Sequence, residues 1–115
     1  MNNVKIGSAG EDLAKRYLQK NGYEILDTNV KFSRYCEIDI IAKIKTTLVF
    51  VEVKTRKTDR FGAPAEAITK TKYQNIKNGI YFYLQNNNVK YNQYRIDVIS
   101  ITLKPELKIE HLENI

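Results

Sequence analysis

Residues 49–56, Val-Phe-Val-Glu-Val-Lys-Thr-Arg, constrain what this chain can fold into more than any other stretch. Val and Phe dominate, Gly and Pro are absent, and the segment reads as a buried β-strand. Side chains alternate across a strand, so Leu48, Phe50, Glu52 and Lys54 share one face. Val49, Val51, Val53 and Thr55 share the other. An acid and an amine therefore stand roughly 6–7 Å apart along an otherwise apolar strand. Burying such charges is costly unless each has a partner. They form either a salt bridge at the end of a strand or the core of a site.

At 115 residues the chain is expected to form one domain with a single core. Its composition, 43% hydrophobic and 28% charged, suits a globular protein and argues against general disorder. Nineteen Lys and Arg against 13 acids leave a net charge of +6, which favours a polyanionic partner, nucleic acid being the commonest. The one cysteine, Cys36, cannot form an internal disulfide, so no secreted disulfide scaffold is indicated. No apolar run approaches the roughly 18 residues of a membrane span. Residues 1–7 lack the apolar core of a signal peptide, and a cytoplasmic location is expected.

Along the chain, a first helix is expected over about 9–20, with Leu13, Ala14, Tyr17 and Leu18 as its apolar stripe. Ser8 reads as its N-cap and Glu11 as the matching capping-box acid, with Asn21-Gly22 as the stop. A strand over 23–30 follows, then a basic loop over 31–35. A second strand over 36–43 places Cys36, Ile38, Ile40 and Ala42 on one face and Glu37, Asp39 and Ile41 on the other. Lys45-Thr46 is short enough to make this strand and the next a hairpin. A loop over 55–63 carries Arg56, Lys57 and Arg60. Pro64 then opens a second helix over about 65–85. A fourth strand lies within 91–103, and a short edge strand over 108–112 follows Pro105. Such an order gives an α/β or α+β sheet with a helix at each side. The strands flanking the second helix can run parallel through a crossover.

The hairpin brings Asp39 toward Glu52. Facing carboxylates repel, and a divalent metal would turn that repulsion into a site. Asp39 and Glu52, with the carbonyl of Val53, offer oxygen ligands to Mg²⁺ or Mn²⁺, and Lys54 stands beside the water such an ion would carry. This is the chemistry of phosphodiester cleavage. Glu11 has two readings, a further metal ligand or the capping-box partner of Ser8, and both can hold in part. Glu37 reads as a partner for a neighbouring cation more than as a ligand, Asp97 and Arg95 as a structural ion pair, and His111 as a surface residue without helpers. No Ser/His/Asp or Cys/His arrangement and no phosphate-binding Gly-rich loop is present.

At these residues the chain reaches a resemblance. Gly7-x-x-Gly10-Glu11-x-x-Ala14-x-x-Tyr17-Leu18 and Gly22-Tyr23-x-Ile25-Leu26-x-x-Asn29 resemble the opening of the bacterial YraN-like family. Glu37-Ile38-Asp39-Ile40-Ile41-Ala42 and residues 49–56 are similar to its two central motifs. Ala65-Glu66-Ala67-Ile68, Lys72 and Arg95-Ile96-Asp97-Val98 match its later positions. That family resembles the PD-(D/E)XK nucleases, in particular Holliday-junction resolvase-like members. The resemblance implies a restriction-endonuclease-like core, a mixed central β-sheet flanked by helices. It also implies Glu11, Asp39 and Glu52 as metal ligands and Lys54 as the catalytic lysine. One position departs: the family carries Gly before the Glu-Ile-Asp motif, where this chain has Cys36, and a positive φ there would strain a cysteine.

The leading expectation is a Mg²⁺- or Mn²⁺-dependent DNA endonuclease acting on branched or structured DNA. Its cleft would hold Asp39, Glu52 and Lys54, with Arg56, Lys57, Arg60 and Lys72 binding the phosphate backbone. A homodimer would suit a two-fold junction, with Phe61, Tyr81, Phe82 and Tyr94 available for its surface or equally for the core. The alternative is a catalytically inactive nucleic-acid- or protein-binding module built on a nuclease-like core.

Overall fold

The structure, a computed structural model, describes residues 3–34, 36–58 and 68–115. Helix α1 (Asn3–Lys20) leads into strands β1 (Glu24–Ser33), β2 (Cys36–Ile44) and β3 (Thr47–Arg56). Helix α2 (Lys70–Asn86), β4 (Gln93–Thr102) and β5 (Lys108–Leu112) follow. The five strands form one mixed sheet in the order β1-β2-β3-β4-β5. Only β3 and β4 are parallel, and the chain between them contains α2. The expected α/β architecture, a mixed sheet with a helix on each side, is what the chain adopts.

Strand β3 sits at the centre and is buried on both faces, as its near-continuous apolar run requires. Val49 and Val51 pack with Ala14 and Leu18 of α1 and with Ile99 and Ile101 of β4. Leu48 and Phe50 pack on the opposite side with Ile76, Ile80 and Tyr83 of α2. Helix α1 approaches β3 closely at Gly10, where a Cβ would fall 1.7 Å from Thr55 Oγ1. Only glycine permits that contact, and it sets the neighbouring Glu11 against the end of β3. The helix closes with Gly22 at φ 89° and a Tyr23 N–H donated to Leu18 O at 2.9 Å, the 6→1 bond of a Schellman motif.

Several boundaries differ from the sequence expectations, each for a local reason. Helix α1 begins at Asn3, so Ser8 lies inside it and cannot be an N-cap; the capping-box reading of Glu11 is overturned. Strand β1 runs on to Ser33, which pairs with Cys36, so residues 31–33 of the expected loop belong to the sheet instead. In β2 the side chains change faces: Cys36 and Ile38 pack toward α2, whereas Ile40 and Ala42 pack toward α1. The change comes where the β2–β3 ladder ends, at Ile40 opposite Val51. Helix α2 starts at Lys70 rather than 65, because Thr69 is extended and its Oγ1 accepts the Lys72 N–H at 3.1 Å. The expected start at Pro64, and Arg60 and Phe61 with it, lie outside the described residues. At the other end Asn86 and Asn87 donate side-chain amides to Phe82 O and Tyr83 O, supplying donors that a terminating helix lacks. No described helix is long and apolar enough to cross a membrane.

The far side of the sheet is held by a buried carboxylate. Asp97 on β4 has no exposed surface and accepts from Arg95 Nε at 3.1 Å and from the Asn114 N–H at 3.0 Å. The His111 Nε2 of β5 lies 2.7 Å from it. Arg95 also donates to Tyr23 Oη at 2.6 Å, and His111 Nδ1 meets Tyr17 Oη at 2.9 Å. His111 is thus a largely buried tie between β5, β4 and α1, not the surface residue that its isolation in the sequence suggests. Burial tends to raise the Asp97 pKa, but these donors outweigh it and hold the carboxyl below the usual range. Asp97 and Arg95 are a structural pair, as expected. Removing the carboxylate strands an arginine and an imidazole, so Asp97→Ala is expected to lose about 3–5 kcal/mol in urea unfolding.

Candidate active-site cleft

Where β2 and β3 part, their backbones leave groups to be paired. Beyond Val51 the Val53 N–H has no β2 backbone partner in the ladder, and the Asp39 side chain takes it, with Oδ2 at 2.8 Å. One carboxylate thus replaces a rung of the sheet, and the strands splay around it. Glu52, one residue earlier on β3, is 8% exposed and faces α2, as alternation requires. There it pairs with Lys72 Nζ from the first turn of that helix.

A cleft of about 410 Å³ opens at this point. Glu11 from α1, Asp39 from β2, and Glu52, Val53 and Lys54 from β3 all line it, together with Lys72 from α2. Four elements therefore deliver to one place the residues that the sequence singled out. Lys54 is exposed and makes no ion pair among the described residues. Glu37 lines the adjoining groove, is exposed and stands opposite Lys31 of β1; it makes no ion pair among the described residues.

The electrostatics are those of crowded acids. Burial, followed by the charge of Glu52, pushes Asp39 up to about 7, and Glu11 adds to the rise. The Val53 N–H and Lys72 oppose the shift without cancelling it. Glu11 is also raised, chiefly by burial, while the side chain of Asn29 hydrogen-bonds its carboxylate and pulls the other way. Asn29 holds φ at 51°, a left-handed angle that Asn tolerates better than most residues.

The donors that meet here, carboxylates and the carbonyl of Val53, are all oxygen and suit a hard divalent cation. Among the described residues no group of three His, Cys, Asp or Glu side chains is already set to hold a metal ion, and Lys72 takes an oxygen of Glu52. Asp39 is repelled by Glu52 and by Glu11, and Glu11 in turn by Glu37. A cation would relieve that repulsion.

Sequence reasoning placed the basic residues less well than the acids. Arg56 is half-buried and donates to Ser100 Oγ at 3.3 Å on β4; it is not among the cleft-lining residues. Lys57 is exposed beyond the end of β3. Lys72, expected to bind phosphate, is also the counter-ion of Glu52, and Asn29 was missed as the partner of Glu11. Its only signal was its place in the Gly22–Asn29 pattern. Cys36 is buried, with its Sγ donating to Asn75 O at 3.1 Å, so its side chain fills space against α2. The strain expected at Cys36 turns on the Tyr35–Cys36 junction, and Tyr35 lies outside the described residues.

A carboxyl raised this way favours folding fully below its unfolded pKa of about 3.8, and that contribution is lost as pH rises toward 7. Asp39→Asn keeps an acceptor for the Val53 N–H and removes the charge. Its stability advantage over wild type is expected to grow by about 2 kcal/mol between about pH 5 and pH 8, read by denaturant unfolding at each pH.

The chain is similar to proteins across the bacteria. A UPF0102 protein of Alkaliphilus oremlandii is 45% identical over 115 residues, covering 97% of each chain. One from Caldicellulosiruptor saccharolyticus is 45% identical over 101 residues, covering 88% of this chain and 85% of its own. A third, from Caldanaerobacter subterraneus subsp. tengcongensis, is 42% identical over 118 residues and covers 99% and 96%. The model of Uncharacterised protein family UPF0102 matches residues 10–101, which include Glu11, Asp39, Glu52, Lys54 and Lys72. With the YraN-like pattern carried on the same residues, this chain belongs to the UPF0102 family.

Proposed function

We propose that this protein is a divalent-metal-dependent endonuclease that hydrolyses DNA phosphodiester bonds, with branched or structured DNA as its substrate. One observation carries the reading: Glu11, Asp39, Glu52 and Lys54 line one open cleft although they come from three different elements. A core built only for stability gains nothing from a carboxylate that burial, with the charge of a second carboxylate added, raises to about 7.

Asp39, Glu52 and the Val53 carbonyl would hold Mg²⁺ or Mn²⁺, with Glu11 as an additional ligand. When bound, the ion supplies Lewis acidity, acidifying a water and offsetting charge on the scissile phosphate. Lys54, at the cleft edge, orients the attacking water and stabilises the negative charge that grows on the phosphoryl oxygens. Lys72 offers its ammonium to an incoming phosphate from its place beside Glu52. Lys57, beyond the end of β3, adds to the basic rim, and Arg60 extends it in the sequence. Such contacts favour salt-sensitive binding with little sequence preference. Arg56 serves differently: by bonding Ser100 it braces β3 against β4.

The test is cleavage of linear, single-stranded, flapped and four-way-junction DNA with Mg²⁺ or Mn²⁺, beside an EDTA control. Glu52→Ala and Lys54→Ala are each expected to slow cleavage by roughly a hundredfold or more. Mn²⁺ is expected to raise the melting temperature of wild type and not of Asp39→Ala. Wild type indistinguishable from both variants on every substrate, with DNA still bound, would give the inactive binding module instead.

A further inference from the structure

The cleft does not end at Lys72. A second groove, of about 330 Å³, shares Asp39, Glu52 and Lys72 with it and continues between the β1–β2 turn and α2. Lys31, Arg34 and Asn75 line this continuation. A third hollow, of about 210 Å³, shares Ser33, Cys36 and Asn75 with the second and is bounded by Phe32, Asn78 and Phe82. The three form one path from the carboxylates to a pair of phenylalanine rings.

Helix α2 supplies one wall of the path as a single stripe. Lys72, Asn75, Gly79 and Phe82 recur at the spacing that keeps residues on one helical face. The stripe covers roughly 15 Å along the helix axis, a length of a few nucleotides. Gly79 is needed within it, because a Cβ there would lie 2.9 Å from both Cys36 Sγ and Phe32 Cδ2. Its absence lets Phe32 seat against α2, and Phe32 meets Phe82 at 6.1 Å between ring centroids with planes 73° apart. An edge-on neighbour fixes a ring while covering at most one of its faces. Phe82 is still 57% exposed, and the adjacent Tyr81 67%.

We propose that this path binds a single-stranded DNA segment, with its unpaired base stacked on Phe82 and its backbone running toward the carboxylate cleft. The inference rests on the reading of that cleft as a nuclease site and names its substrate: DNA with an unpaired stretch beside the scissile bond. Charge alone does not make the path. Lys31, Arg34 and Lys72 share the second groove with Glu37, Asp39 and Glu52, so the signs balance. What remains to hold a strand at its far end is an exposed ring held in place by a second ring. Base–aromatic stacking is worth about tenfold or more in affinity and tolerates any sequence. A duplex keeps its base faces inside its own stack, apart from the outer faces of its two terminal pairs, and offers none along its length.

The chain contains no tryptophan, so Phe82→Trp introduces a single reporter at an exposed position. In EDTA, where no cleavage occurs, its emission is expected to be quenched saturably by oligothymidylate and unchanged by a blunt duplex of the same length. Phe82→Ala is expected to weaken oligothymidylate binding about tenfold and leave duplex binding unaltered. Equal losses on both DNAs, or no quench, would overturn the proposal. So would a dimer in sedimentation that Phe82→Ala converts to monomer, since the ring would then belong to a self-interface. Quenching without metal-dependent cleavage sinks only the nuclease reading; cleavage without quenching sinks only the stacking platform.

Discussion

The hydrogen bond from the Val53 N–H to the Asp39 carboxylate is the point on which the site depends. Strand β3 is buried on both faces and flanked by strands on both sides, so each of its amides needs a partner. On the β4 side the parallel ladder runs unbroken from Thr47 to Arg56. On the β2 side it stops at Val51, and Asp39 meets the next inward amide with a side chain. That exchange lets the hairpin open without orphaning a buried donor. The gap it leaves is the cleft, and the carboxylate that pays for the gap is also its most perturbed acid.

Around that point the fold acts as a clamp with two jaws. Gly10 lets α1 rest on Thr55 and carries Glu11 to the cleft, while Thr69 starts α2 so that Lys72 in its first turn meets Glu52. The opposite edge of the sheet is tied by Asp97, whose donors come from β4, β5 and the segment after β5. The two buried carboxylates have contrary electrostatics for a plain reason. Asp97 is surrounded by donors and held ionised; Asp39 has one backbone donor and acidic neighbours, and resists ionising. The first pattern belongs to a structural anchor; the second leaves a repulsion that a cation would relieve.

Much of this was legible in the chain. The strand through 49–56 and the hairpin at Lys45-Thr46 follow from a Val- and Phe-rich run without Gly or Pro and from a short turn. The helix stop at Gly22 follows from the need for a positive φ. Glu52 and Lys54 identified themselves as charges on an apolar strand, and Asp39 as their partner across the hairpin. Less legible were features set by neighbours distant in sequence. Ser8 and Glu11 match a capping box, yet α1 starts five residues before Ser8 and the match is empty. The partners of His111, Tyr17 and Asp97, both lie far from it in the sequence.

The sequence by itself determined which segments are strands and helices, which faces are apolar, and which acids and lysine are out of place in a core. These are local properties, written in periodicity and in the desolvation cost of single charges. Tertiary structure alone decided that β2 changes faces at Asp39, that Lys72 is the counter-ion of Glu52, that Arg56 turns to Ser100, and that Phe32 seats against Gly79 beside Phe82. Each depends on where the hairpin opens and how near a helix approaches. Such distances arise from packing between segments that are remote in the chain, and no window of sequence contains them.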